Sequence, residues 1–257
     1  MLAKERRETI TQILYNHLTV SVKDLSVQMK VTMETIRNDL DYISSHDDKI
    51  IRIHGGAYKI NRADCDPYFK DLGDNKAVEE SRKLADVASS FVKKGDVIML
   101  DSSTMSIFIA KSLIAKKIQA TVITNSLPVS NLIAGSKLLS LFCLGGNLNI
   151  PTFSFKGTFT YDTLTRMHGD KAFLSPTGIS MDFGLSQVDE FEARLAKSMI
   201  ENSNEVYLVM PINKFDKATR TKISNLDTID TIITENRLPV NWKNTLHENK
   251  VTIKYVD

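Results

Sequence analysis

Two sets of residues in this chain have the types and spacing for chemistry. The first is a series of small polar clusters, each following a short apolar run. Asp101-Ser102-Ser103-Thr104 follows residues 97–100, Thr124-Asn125-Ser126 follows 120–123, Gly145-Gly146 follows 138–144, and Ser175-Pro176-Thr177-Gly178 follows 171–174. Hydroxyls and backbone amides at the start of a helix form an anion site suited to a phosphate, and glycines let a backbone approach a ligand closely. Singly, a Ser/Thr pair before a helix is a cap and Gly-Gly is a turn; four polar loops in phase along one edge imply a pocket. The second set is Glu34, Thr35, Arg37 and Asn38 on one stretch of helix. Arginine suits guanine or a phosphate, and asparagine can read an adenine edge bidentately.

The second set needs a helix to carry it. Ser21 predicts a cap, with Asp24 reaching back as in a capping box, for a helix whose inner face is Val22, Leu25 and Met29. Thr32 predicts the cap of a second helix with Ile36, Leu40 and Ile43 inside. Two helices joined by so short a turn are an αα-hairpin or a helix-turn-helix, and the flanks decide for the latter. Upstream, Ile10, Ile13, Leu14 and Leu18 give an amphipathic first helix entered through Lys4, Arg6 and Arg7. Downstream, residues 50–60 read as two strands around Gly55-Gly56, with Lys49, Arg52 and Lys59 along them. Three helices and a hairpin make a winged helix-turn-helix that binds DNA. Its expected contacts are Arg6, Ser21, Thr32, Arg52, His54, Gly55 and Gly56 together with Glu34, Thr35, Arg37 and Asn38. Asp39, Asp41, Asp47 and Asp48 fall late in the third helix or just past it and read as a solvated face and turn.

The polar clusters need a sheet. Residues 61–75 break any period at Pro67 and Gly73 and read as a linker. From residue 76 to 257, helical and strand patterns alternate: helices over 78–92, 104–113, 127–134 and 188–201, strands over 97–100, 120–124, 138–144, 171–174, 206–210, 231–234 and 251–256. Such alternation predicts an α/β domain with a mostly parallel sheet covered on both faces, in which ligands bind at the carboxyl ends of the strands. The expected division is therefore a winged helix-turn-helix over 1–60, a linker over 61–75 and an α/β domain over 76–257.

Composition excludes several classes. With 33 Lys and Arg against 31 Asp and Glu, the net charge is only +2, so DNA affinity has to come from placement and from pairing two heads in an oligomer. The two cysteines, Cys65 and Cys143, lack metal-ligand spacing and read as reduced thiols. No apolar run reaches membrane-spanning length, and the amino terminus lacks a signal-peptide core. A soluble cytoplasmic protein without membrane contact, metal or cofactor is expected.

Several motifs occur in a telling order: Glu5-Arg6-Arg7, residues 20–25, Val31-Thr32, residues 35–40, His54-Gly55-Gly56-Ala57, Lys171-Ala172-Phe173, Gly178-Ile179-Ser180, Gly184-Leu185, Glu192-Ala193 and Lys214-Phe215. The chain in this respect resembles the DeoR family of bacterial transcriptional repressors over nearly its full length. The resemblance implies a second domain similar in fold to ribose-5-phosphate isomerase and glucosamine-6-phosphate deaminase, with a sugar phosphate as effector. It implies a phosphate held by Asp101, Ser102, Ser103 and Thr104 beside Thr124, Asn125 and Ser126, with Gly145, Gly146, Lys171, Gly178, Glu192 and Lys214 completing the site. The sequence departs from the family pattern at Asn38, where an arginine is usual, and in the pocket at Ser103, Met105, residues 175–177, Ala196, where a lysine is usual, and residues 210–213, where a small polar run is usual.

The expectation is a repressor of a sugar-metabolism operon, a homodimer or homotetramer on a double-stranded operator, controlled by a phosphorylated sugar. One alternative is a family member whose altered pocket no longer binds an effector and which binds DNA constitutively. Another is an isomerase-like enzyme. Asp101, Asp182, Asp189 and Glu192 show no paired acid/base spacing, so no catalytic residue is assigned and catalysis is not expected.

Overall fold

The computed structural model describes residues 3–17, 19–47, 50–53, 55–59 and 75–256, and the chain divides into two compact units, Met1–Pro67 and Tyr68–Asp257. Lys49, His54 and nearly all of the expected linker lie outside the described residues.

The first unit runs α1 (Ala3–His17), β1 (Thr19–Ser21), α2 (Val22–Met29), α3 (Met33–His46), β2 (Ile50–Ile53) and β3 (Gly56–Lys59). The Ser21 hydroxyl caps α2 by accepting from the Asp24 amide at 3.1 Å, and the Thr32 hydroxyl caps α3 by accepting from the Thr35 amide at 3.2 Å. Lys30, in the left-handed region at φ 53°, ends α2 and makes the turn. Ile10, Leu14, Val22, Leu25, Ile36, Leu40 and Ile43 close a core against Ile50 and Ala57 of the hairpin. The sheet has a third strand that the sequence pattern did not announce: β1 pairs antiparallel with β3, which pairs antiparallel with β2. It is only three residues long, and its last residue, Ser21, is also the helix cap. β1 can approach because of Gly56, where a Cβ would lie 2.0 Å from the Val20 carbonyl oxygen.

The second unit runs α4 (Asn75–Ser90), β4 (Val97–Leu100), α5 (Thr104–Ala115), β5 (Ala120–Thr124), α6 (Leu127–Ala134), β6 (Leu139–Cys143), β7 (Asn147–Asn149), β8 (Ser154–Lys156), α7 (Thr158–Leu164), β9 (Gly169–Leu174), β10 (Gly178–Ser180), β11 (Gly184–Gln187), α8 (Glu190–Glu201), β12 (Ser203–Val209), β13 (Thr221–Ser224), β14 (Thr231–Glu235), α9 (Val240–Glu248) and β15 (Thr252–Val256). Seven strands form one sheet in the order β15-β14-β12-β9-β4-β5-β6, and every pairing in it is parallel.

Strand alternation sends side chains to two separate cores. Ile98, Leu100, Phe173 and Val209 pack with Leu84 of α4, Phe108 of α5 and Val129 of α6. Met99, Ala172, Leu174 and Leu208 pack on the other face with Leu195 and Met199 of α8 and Trp242 and Leu246 of α9. Two antiparallel pieces, β7-β8 and β10-β11-β13, are additions to the expected pattern. Ile179, Leu185 and Ile223 of the latter join the core that contains α8. The sheet's parallel sense puts the loops after β4, β5 and β9 on one edge, where the polar clusters fall.

Candidate functional site

In the first unit, α3 turns Ile36, Leu40 and Ile43 inward and leaves Glu34, Arg37 and Asn38 exposed. Arg37 and Glu34 pair at 3.0 Å across one turn, an exposed bond that is readily exchanged for a base edge or phosphate. Thr35 Oγ1 lies 2.9 Å from Thr32 Oγ1 at the start of the same helix. A recognition helix presents base-reading side chains from its amino-terminal part in this way.

Two expectations need correction here. Arg6 is not a free surface cation: it is buried and its Nε donates to Asp39 Oδ2 at 2.5 Å. Asp39 is not on a solvated face: its side chain is 2% exposed and its other oxygen accepts from Arg7 Nε at 2.8 Å. Arg7 also lies 3.9 Å over the Tyr42 ring. The α1–α3 contact is therefore clamped by a carboxylate between two guanidiniums, the arrangement in which a buried charge is tolerated. Arg52 bonds Asp41 Oδ1 at 2.6 Å and donates to the Gly56 carbonyl, so it ties the hairpin to α3. Ser21 and Thr32 are helix caps, Gly55 is exposed at the turn with φ +89°, and Gly56 admits β1.

In the second unit, the loop after β4 is organised by Asp101. Its Oδ1 accepts from the Ser103 amide at 3.0 Å, the Ser103 hydroxyl and the Ser106 hydroxyl at 2.6 Å, and its Oδ2 accepts from the Ser175 amide at 2.7 Å. Ser103 caps α5. Ser102 instead donates to Glu192 Oε2 at 2.7 Å, while Ser154 of β8 donates to Glu192 Oε1 at 2.5 Å. After β5, Thr124 Oγ1 accepts from the Ser126 amide at 3.0 Å and Ser126 caps α6. Between them Asn125, 1% exposed, donates from Nδ2 to the Phe155 carbonyl at 3.1 Å, and its Oδ1 has no partner.

Asp101, Ser102, Asn125 and Glu192 thus meet in one recess, completed by Gln187 and by apolar residues including Leu174, Leu195 and Ala196. It leaves about 10 Å³ for the centre of a water-sized group. Asp189 caps α8, which carries Glu192, and accepts from Lys156 Nζ at 2.8 Å. Burial would raise the Asp189 carboxyl, but the bonds from Lys156 and from the Glu192 and Phe191 amides outweigh it and hold the pKa below its ordinary value.

A second, roomier recess of about 440 Å³ borders the same loop, lined by Thr104, Met105, Ser175, Asn213, Lys214 and Arg237 among others. Lys214 Nζ donates to the Ser175 carbonyl at 3.1 Å and the Ser175 hydroxyl at 3.0 Å. Among the described residues it has no carboxylate within ion-pair distance. Burial lowers its pKa from the ordinary lysine value, against the opposing charge of Asp101. Arg237 pairs with Glu80 at 3.2 Å. Ser154, Gln187 and Arg237 were not picked out by sequence, and Asn213 only as part of the altered run over 210–213. Ser154 stands on a strand of only three residues, Gln187 at the end of β11, outside any polar cluster that the pattern marks, and Arg237 on a connection with no motif.

Other expected residues fall elsewhere. Lys171 sits near the amino end of β9, buried, with Asp96 at 2.6 Å and Glu205 at 3.8 Å. It is on the opposite edge of a parallel sheet from the 101–104 loop and does not belong to either recess. Gly145 and Gly146 are outside both linings: the Gly145 carbonyl accepts from Thr160 at 2.8 Å, and a Cβ at Gly146 would lie 2.1 Å from Thr160 Oγ1, so the pair seats α7. Gly178 pairs with Ser186 in the β10-β11 ladder. Among the described residues, no group of three or more His, Cys, Asp or Glu side chains is placed to hold a metal ion, and no helix is long and apolar enough to cross a membrane.

Comparison with known proteins matches these two units to two family models. Residues 6–63 match the DeoR-like helix-turn-helix domain, and residues 76–236 match the DeoR C terminal sensor domain. The chain is 32% identical over 256 residues to the HTH-type transcriptional regulator YulB of Bacillus subtilis, covering 100% of this chain and 98% of that one. It is 30% identical over 241 residues to the lactose phosphotransferase system repressor of Lactococcus lactis, covering 93% of each. Among solved structures, ribose 5-phosphate isomerase A of Methanocaldococcus jannaschii overlaps 53% of this chain and 54% of its own, at 18% identity and a TM-score of 0.38. With both domain models and a full-length relative in agreement, the chain belongs to the DeoR family and is a DNA-binding transcriptional regulator.

Proposed function

We propose that this regulator represses a sugar-metabolism operon in the cytoplasm, as a dimer or tetramer, and that a phosphorylated sugar controls it. The observation that carries the reading is Lys214, a half-buried lysine that among the described residues is held by Ser175 alone, facing a recess beside the amino terminus of α5. A cation and first-turn amides together suit a phosphate, and about 440 Å³ is within the usual range for small-ligand pockets. In the recess that Asp101 and Ser102 of the same loop line, Asn125 and Glu192 supply acceptors for the donors of a sugar. The name of the lactose phosphotransferase system repressor points toward sugar control as well. In the head, Arg37, Asn38, Glu34 and Thr35 read bases, while the exposed turn at Gly55 and the first-turn amides of the helices meet phosphates.

The test is a thermal-shift panel of phosphorylated sugars against their unphosphorylated partners. A ligand at a hundred times its dissociation constant stabilises the folded state by about 2.7 kcal/mol. Selective stabilisation by one phosphosugar, lost in Lys214→Ala, is the expected result. A flat response across the panel would contradict it and favour a constitutive DNA-binding protein.

A further inference from the structure

The smaller recess has the wrong charge for an anion and the wrong hydrogen-bonding character for an apolar group. Two carboxylates, Asp101 and Glu192, line it, and no lysine or arginine does. Neither carboxylate has an ion-pair partner among the described residues; Glu192 is bonded by two hydroxyls, and Asp101 by hydroxyls and backbone amides. The nearby cations are engaged outside the lining, Lys214 on Ser175 and Lys156 on Asp189, although Lys214 is within electrostatic reach of Asp101.

Asn125 adds an independent sign of what the recess takes. Its Nδ2 must face the Phe155 carbonyl, because the reverse orientation would oppose two oxygens, so Oδ1 is the atom turned away from that bond. A fully buried amide oxygen with no partner is costly unless something fills the place. The group that suits this oxygen is a donor, and the two carboxylates favour one that is positively charged. The free space, about 10 Å³ for a water-sized centre, matches a single small head group. An ammonium has that size, three donors and the right sign.

We propose that this recess receives a protonated primary amine of the effector, bound by Asn125 Oδ1 and Glu192, so that the ligand is an amino sugar rather than its hydroxyl counterpart. The inference rests on the reading of the second unit as a sugar sensor and adds to it the class of sugar. Ser102 and Ser154 serve as positioning residues that hold the Glu192 carboxylate open-faced toward the recess. Acetylation of the amine removes its charge and adds bulk the recess cannot take.

The experiment is calorimetric titration of the full chain with series of hexose 6-phosphates that differ at one carbon, bearing a hydroxyl, a free amine or an acetylated amine, alongside the unphosphorylated amines. In at least one series the free amine should bind at least tenfold more tightly than the hydroxyl, and the acetylated form should not bind. Glu192→Gln should erase the preference while preserving the fold by circular dichroism. Ala196→Lys, which puts a cation into the same lining, should suppress amine binding if the first variant proves unstable. Equal or tighter binding of the hydroxyl member in every series, or no binding of any amine, overturns the proposal. Tight binding of a hydroxyl phosphosugar without amine preference would sink this inference and leave the phosphosugar reading standing. Equal binding of an amine with and without its phosphate would do the reverse.

Discussion

Asp39 holds Arg6 at 2.5 Å and Arg7 at 2.8 Å from within the first unit. Removing one partner of a buried ion pair leaves an uncompensated charge, which costs about 3–5 kcal/mol. Asp39→Ala should therefore destabilise the head by at least about 3 kcal/mol in urea unfolding and abolish operator binding, and a loss below about 1 kcal/mol would contradict the clamp. The residue was misread because its partners come from 32 and 33 positions upstream, beyond any local period. Arg37 is the opposite case: exposed, locally paired and legible. Arg37→Ala should weaken operator binding by about ten- to a hundredfold with no change in melting temperature, as measured by anisotropy at fixed salt. Lys171 gives a pH test. Burial would raise the Asp96 carboxyl, but the Lys171 hydrogen bond, the Lys93 amide and the charges of both lysines outweigh it and lower the pKa. A depressed carboxylate contributes stability that is full above its ordinary pKa of about 3.9 and lost as the pH falls through its lower folded value. Lys171→Met should thus be destabilising at pH 7, and its deficit against the natural chain should shrink at pH 3. A deficit that stays constant would show that the pair does not titrate with folding.

At the scale of elements, the long periodic pieces were readable and the short ones were not. The two capped helices and the apolar strands β4, β5 and β9 announce themselves, because one face or both must be buried. β1, β7, β8 and β10 are three residues each and draw their identity from partners elsewhere in the chain. That is why Ser154 of β8 escaped notice, although it holds Glu192. Lys171 shows a related limit: its segment was recognised as a strand, but not that residue 171 lies at the end remote from the polar loops. Of the four loops, those after β4, β5 and β9 do line the recesses, whereas Gly145-Gly146 seats a helix. The head offers a test of its unexpected strand. Gly56→Ala would force a Cβ to within 2.0 Å of the Val20 carbonyl oxygen, so β1 must separate from β3. The variant should lose operator binding and about 2 kcal/mol or more of head stability, and unchanged binding would show that β1 is dispensable.

At the scale of the whole molecule, family membership joins a DNA-reading unit to a sensor unit in one chain. Regulation then requires a coupling free energy between two sites, and such coupling is reciprocal: whatever factor the ligand takes from DNA affinity, DNA takes from ligand affinity. A ligand that binds both forms equally tightly shifts nothing. The measurement that bears most directly on the account is the affinity of the full chain for a phosphosugar, with and without a saturating operator duplex selected from a random pool, at one salt concentration. Phosphosugar should bind more weakly to the DNA-bound protein, by the same factor by which the sugar weakens DNA binding. Identical affinities in the two states would contradict it, and would leave a protein that binds DNA without listening to the sugar.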